Sequence, residues 1–250
     1  MAAIMSPFER QIEALRAYNA CDISDALLKL NVAEAGFLAD IILQTPSHYS
    51  SLLAASSTTP TPGFEAATTS RKPLIAPAHT VLFAPKSAVF PPSTLPPNTH
   101  FADFTPPSTI TVISQPAGQR NAVLGGLVAG RIQKLGGIAV VVDGRVRDVT
   151  ELQSLGLHVW AKGTSTVGAG AEARCVSVGE AIHVAGVKIN SGDIIFADPV
   201  NGVVCIPRDQ LDAVLELLPK ITGADDKVRT DVLENGSGLQ EAFDKHRKGI

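Results

Sequence analysis

GIAVVVDGRVRD, residues 137–148, decides the fold. Ile138, Val140, Val141 and Val142 form a short β-branched apolar run, the pattern of a strand buried on both faces. The run predicts a strand over residues 138–142 that ends in a glycine turn and delivers Arg147 and Asp148 side by side. A cation and a carboxylate together at the C-terminal edge of a core strand can hold an anionic substrate and a divalent metal.

Working outward, TITVI (109–113) reads as a second strand and residues 122–135 as the helix between the two, which makes a βαβ pattern and an α/β fold. Beyond the Arg-Asp pair, a helix over 149–155 closes at Gly156 and a strand follows at 158–162. The period then shortens. Strands at 182–185, 187–189, 194–197 and 203–206 are separated by Gly186, Ser191-Gly192-Asp193 and Asn201-Gly202, as in antiparallel hairpins. Helices are expected at 8–18, from Asp22 or Ser24 to Leu30 with either residue as cap, and at 210–218, with a charged, helix-prone tail after it. Stretches rich in Ser, Thr and Pro, about 45–73 and 85–107, flank a strand at 80–84. The plainest reading makes them solvated insertions without a part in chemistry, although long loops also cover sites.

At 250 residues, with 45% hydrophobic and 18% charged residues, the chain has a core-forming composition and is expected to be one domain with insertions. A net charge of -3 and no Lys/Arg cluster argue against a nucleic-acid partner. Cys21, Cys175 and Cys205 are too few and scattered for a disulfide framework or zinc site, and no run of about 20 apolar residues spans a membrane. A cytoplasmic protein in a reducing compartment is the expectation.

The chemistry-bearing motifs are few. There is no dinucleotide-binding or Walker-type glycine pattern, and GTSTVGAG (163–170) reads as a turn. The six histidines show no ligand pairing, so any metal should be a hard cation, Mg2+ or Mn2+, held by oxygen, with Asp148 the best placed ligand. Arg147 offers a planar fork for a carboxylate. Gly125, Gly126, Leu127 and Val128 stand near a helix start, where unpaired N–H groups would cradle an anion. Taken alone, an Arg-Asp dipeptide is usually a surface ion pair.

The context is more specific. Residues 121–165, NAVLGGLVAGRIQKLGGIAVVVDGRVRDVTELQSLGLHVWAKGTS, resemble the RraA-like family, which includes 4-hydroxy-4-methyl-2-oxoglutarate aldolases with oxaloacetate decarboxylase activity. AYNACDISDALLKL (17–30), PLIAPAHTVLFAP (73–85) and VKINSGDIIFADPVNGVVCIP (187–207) extend the resemblance over most of the chain. It implies a layered β/β/α sandwich of the swivelling, phosphohistidine-domain-like type. It also implies a homotrimer or homohexamer with sites near subunit interfaces. Arg147 would bind the carboxylate of a pyruvyl group, Asp148 would ligate Mg2+ or Mn2+, and the amides of Leu127 and Val128 would hold substrate. The substrate would be a 2-oxo acid cleaved between C3 and C4 to a pyruvate enolate.

One departure stands out. The related aldolases carry an acid 21 positions before the arginine, where it contacts metal-bound water, and this chain has Gly126 there. Asp103, Asp143 and Glu172 are candidates to substitute for it. Some RraA-like proteins are instead non-catalytic regulators that bind an RNA-degrading enzyme. The bacterial regulator lacks the aspartate after the arginine, whereas Asp148 is present here.

Overall fold

The computed structural model describes residues 5–45, 72–89 and 91–250. Nearly all of the first Ser/Thr/Pro-rich stretch therefore lies outside the described residues, as does His48. The elements run α1 (Pro7–Leu15), α2 (Ala20–Lys29), β1 (Ile42–Thr45), β2 (Leu74–Pro85), β3 (Ile110–Ser114), β4 (Ala122–Leu124), α3 (Gly126–Lys134), β5 (Ala139–Val146) and α4 (Val149–Leu155). They continue with β6 (His158–Thr164), β7 (Ala173–Val178), β8 (Ile182–Val184), β9 (Val187–Ile189), β10 (Ile194–Asp198), β11 (Gly202–Ile206), α5 (Leu211–Arg229) and α6 (Leu239–His246).

The main sheet has the order β1-β6-β5-β3-β2-β10-β11, with β2, β3, β5 and β6 mutually parallel. Alternation along the central strands sends side chains to two cores. Ile110, Val112, Ala139, Val141 and Trp160 face the β8–β9 hairpin, which contributes Ile182, Val184, Val187 and Ile189. Ile113, Val140, Val142 and Val159 face Ala129 and Ile132 of α3 and Leu152 of α4. Hairpin, sheet and helices make the three β/β/α layers. A third cluster packs α1, α2 and α5 on the β10–β11 wing through Leu15, Ile23, Leu27, Phe196, Ile206 and Leu218.

Two features of β5 differ from the sequence expectation. Gly144 is not a turn, since the strand runs on to Val146 with an irregularity between Val142 and Arg145. The neighbouring strand is also split: β3 pairs with β5 as far as Asp143, and β4 takes over at Arg145 and Val146. Gln115 bridges the gap. Its Oε1 accepts the Arg145 N–H at 3.0 Å and its Nε2 donates to the Asn121 carbonyl at 2.8 Å, so a side-chain amide does the work of a peptide group. A Cβ on Gly144 would overlap the Gln115 amide, which is why glycine occupies this place.

Other boundaries moved for identifiable reasons. The helix expected from residue 122 begins at Gly126, because residues 122–124 are drawn into the ladder with β5. α2 begins at Ala20, capped by Asn19, while Asp22 closes the capping box from the third helical position. α5 does not stop before Pro219: Leu211, Val214, Leu218, Ile221, Ala224 and Val228 form one buried stripe through it. Burial along that stripe outweighs the one backbone hydrogen bond that proline removes. β1, β4 and β7, short and weakly patterned, are additional to the strands expected from sequence. No helix among the described residues is long and apolar enough to cross a membrane.

Candidate active site

The site forms where β4 and β5 end side by side. The Arg147 N–H donates to the Leu124 carbonyl at 2.9 Å, and this fixes the chain ends that carry Gly125 and Arg147. Asp148 then turns the chain into α4 with φ 57°, a left-handed conformation that short polar residues tolerate best. It is the N-cap of α4, yet its side chain makes no capping hydrogen bond. The carboxylate faces the other way, with Oδ2 accepting the Gly126 N–H at 3.4 Å and lying 3.4 Å from Arg147 Nε.

Both side chains remain about half exposed, at 46% and 42%, so their mutual attraction adds little stability and their charges stay available. Close glycines permit the packing. A Cβ on Gly125 would lie 2.7 Å from Asp148 Oδ2 and 3.2 Å from Arg147 Nε, and one on Gly168 would lie 3.0 Å from an Arg147 terminal nitrogen. The N-cap of α3 is Gly125, which has no side chain to satisfy the first amides of that helix. Beyond the Gly126 N–H, which donates to Asp148, the next N–H groups and the positive end of the helix dipole are left for an anion.

These groups open into a cleft of about 570 Å³. Gly125, Leu127, Val128, Arg147 and Asp148 line one side, whereas Gly126 lies behind them with its N–H turned to Asp148. Another part of the lining comes from the second Pro-rich stretch, through Ser93, Leu95, Pro96, Pro97, Thr99 and His100. That stretch is thus more than a solvated excursion. Arg174 Nη2 fastens it by donating to the carbonyls of Ala88 at 3.0 Å and Pro91 at 2.7 Å, and the Thr94 N–H donates to the Val176 carbonyl at 2.8 Å. Nothing in the composition of 85–107 marks it as a wall, and only the long-range pairing with β7 reveals it.

His100 and Cys175 are titratable residues of the cleft that the motif reading passed over. Desolvation lowers the His100 pKa against a smaller opposing effect of Asp103, so the ring is neutral at pH 7. Its Nδ1 accepts the Ala102 N–H at 3.2 Å, which leaves the ring proton on Nε2. Burial pushes the Cys175 thiol up to about 12, so it stays protonated and is not a nucleophile.

The three acids considered as substitutes at Gly126 lie elsewhere. Asp103 pairs with Arg131 at 2.8 Å, Asp143 with Lys162, and Glu172 accepts the Arg120 N–H at 3.2 Å, and none of the three approaches Gly126, which with Glu151 lies behind the residues that line the cleft. The acid that does reach residue 126 is Glu151. A Cβ on Gly126 would fall within 2.1 Å of the Glu151 carboxyl carbon and Oε2. Sequence spacing alone would have found it only by placing α4 beside α3.

Among the described residues, no group of three or more His, Cys, Asp or Glu side chains is arranged as a metal cage. A magnesium-type site does not need one. Mg2+ keeps several waters and takes one or two carboxylates, and a single half-exposed Asp148 beside an open cleft fits that donor set.

The chain resembles several known proteins. It is 32% identical over 139 residues to a protein of Halalkalibacterium halodurans provisionally named 4-hydroxy-4-methyl-2-oxoglutarate aldolase, covering 56% of this chain and 65% of that one. Protein DlpA of Legionella pneumophila is 29% identical over 189 residues, covering 72% of this chain and 30% of that protein. The chain thus spans less than two thirds of the length of these curated relatives. Among solved structures, an uncharacterized protein of Pseudomonas syringae pathovar tomato matches with TM-score 0.66 at 18% identity over 94% of this chain and 96% of that one. Streptomyces coelicolor RraAS2, described as an unusual member of the RNase ES inhibitor RraA family, also gives 0.66 at 18% identity, over 87% and 95%. At such identities these two structures establish the fold. A family model described as RraA-like, Aldolase/RraA, matches residues 20–205, and the chain belongs to that family.

Proposed function

We propose that the cleft is the active site of a divalent-metal-dependent carbon–carbon lyase acting on a 2-oxo acid. The reaction is cleavage of the C3–C4 bond to a pyruvate enolate, by decarboxylation of oxaloacetate or by retro-aldol cleavage of a 4-hydroxy-2-oxo acid. The observation that carries the reading is the meeting, in one cleft, of the Arg147 guanidinium, the Asp148 carboxylate and the uncapped start of α3. A relative provisionally named as an aldolase supports the same reaction class.

Asp148 would hold Mg2+ or Mn2+, which when bound supplies a Lewis acid for the 2-oxo group. Arg147 binds the C1 carboxylate through its fork, and its Nε contact with Asp148 keeps the cation and the metal ligand in register. The free N–H groups at the start of α3 orient the same anion. As the C3–C4 bond breaks, negative charge moves onto the C2 oxygen, and the fixed positive groups stabilise it without reorganising. Leu95, Pro96 and Pro97, apolar members of the lining, would help exclude water from the enolate. We extend the proposal to a cytoplasmic homotrimer or homohexamer without a nucleic-acid or membrane partner.

The test is pyruvate release from oxaloacetate with and without Mg2+ or Mn2+. We expect metal-dependent turnover above the background of metal alone, and an Arg147→Ala variant whose kcat/KM falls by about 10²-fold or more through loss of a charge-assisted bidentate contact. Absence of metal-dependent turnover would favour a non-catalytic binding protein on the same scaffold.

Gly125→Ala provides a finer check. Gly125 has φ -135°, which alanine adopts freely, so the cost falls on the Asp148 and Arg147 side chains that the methyl displaces. Turnover should drop by about 10- to 100-fold while the melting temperature changes little, because a misplacement near 1 Å disrupts orientation far more than folding. Equal loss of stability and activity would count against this assignment of roles.

A further inference from the structure

We infer that Glu151 is the proton-handling carboxylate of this site, placed there because residue 126 has no side chain. The inference rests on the lyase reading above. Three observations carry it. First, the Glu151 carboxyl group occupies the volume of a residue-126 side chain, with Cγ, Cδ and Oε2 all within 2.5 Å of where a Cβ would stand. Second, Gly126 is flanked by two acids, since its N–H donates to Asp148 Oδ2 while Glu151 covers its Cα. Glu151 lies in the first turn of α4, three residues after Asp148, the N-cap of that helix. Third, Glu151 is an exposed acid that makes no hydrogen bond or ion pair among the described residues, whereas Asp103, Asp143 and Glu172 are all engaged.

The chemistry requires such a group. Asp148 is committed to the metal and Arg147 to the substrate carboxylate, and neither is free to exchange a proton. In retro-aldol cleavage the Glu151 carboxylate takes the C4 hydroxyl proton. The O–H electron pair forms the new C4 carbonyl, and the C3–C4 pair moves into the C2–C3 bond of the enolate as the C2 carbonyl pair moves onto oxygen. The protonated Glu151 then returns that proton to C3, so the carboxylate is regenerated and no co-reactant is needed. In decarboxylation carbon dioxide leaves with the bond cleavage, and Glu151 delivers to C3 a proton drawn from solvent.

The test separates this step from bond cleavage by following exchange of the pyruvate methyl protons with heavy water, by NMR, in the presence of Mg2+. We expect exchange in the native protein and a loss of about 10²-fold in Glu151→Gln, the scale of general acid–base catalysis. Mn2+ affinity, titrated by electron paramagnetic resonance, should stay within about twofold if Glu151 handles protons and is not a ligand. Formate should rescue Glu151→Ala. So should moving the acid, because Gly126→Asp in the Glu151→Ala background puts a carboxylate back at the start of α3, where the helix dipole favours it. Exchange by Glu151→Gln at the native rate overturns the inference while leaving the lyase reading intact. So does a tenfold loss of Mn2+ affinity, or failure of both rescues in folded protein. No exchange in the native protein overturns both.

Discussion

Asp148→Asn should abolish metal-dependent pyruvate release while leaving the protein folded. On the proposed lyase reading the substitution removes the metal ligand, and with it the charge that would stabilise the developing enolate, an effect of about 10²- to 10³-fold or more by comparison with the loss of single transition-state contacts. Asparagine keeps the shape and tolerates the φ of 57° that Asp148 adopts, and α4 loses no cap because the carboxylate does not serve as one. The melting temperature should therefore stay within a few degrees of the parent, and Mg2+ should no longer raise it. Asp148→Ala would confuse the two effects by adding the strain of a left-handed alanine. Retained metal-dependent turnover in Asp148→Asn would remove Asp148 from the mechanism.

Trp160→Ala should have the largest effect on stability, about 3–5 kcal/mol, as for other buried tryptophan or phenylalanine truncations. Trp160 is fully buried between the sheet and the β8–β9 hairpin, with the His158 ring stacked 5.8 Å away. In a domain of this size each kcal/mol shifts the melting temperature by about 2–4 °C, so a drop of roughly 10 °C is expected in a thermal melt. Trp160→Phe should cost much less. The indole Nε1 is buried without a hydrogen-bond partner among the described residues, and removing an unsatisfied donor offsets part of the lost volume. If the two variants melt together, the packing of this core is not what holds the hairpin.

The sequence was most readable where one residue pattern answered to one physical cause. The β-branched run of β5, Gly156 closing α4 at φ 66°, and the hairpins at Gly186 and Asn201-Gly202 all lie where local chemistry puts them. Errors came where distant segments decide. Residues 122–124 have a helical pattern but complete a ladder whose other half is β5, and Gly144 looks like a turn until Gln115 is seen to fill the space above it. Arg147, Asp148 and the glycines before α3 can be grouped from sequence because they stand on either side of one βαβ crossover, and the structure brings them together. The approach of Glu151 to Gly126 and the lining from Ser93 to His100 cannot be read that way, since they depend on helix-to-helix and strand-to-loop approach.

The interrupted pairing along β5 also bears on how this molecule can be re-engineered. Residues 116–120 leave the sheet at the end of β3 and rejoin it at β4, and the two ends are tied without them, by the Gln115 amide, which joins Asn121 and Arg145, and by the Ala122 N–H donating to the Val167 carbonyl at 2.7 Å. Chain connectivity across that gap is therefore dispensable for holding Arg145, Arg147 and Gly125 together. New termini, or a whole inserted reporter domain, placed at Gly118 should leave the cleft assembled.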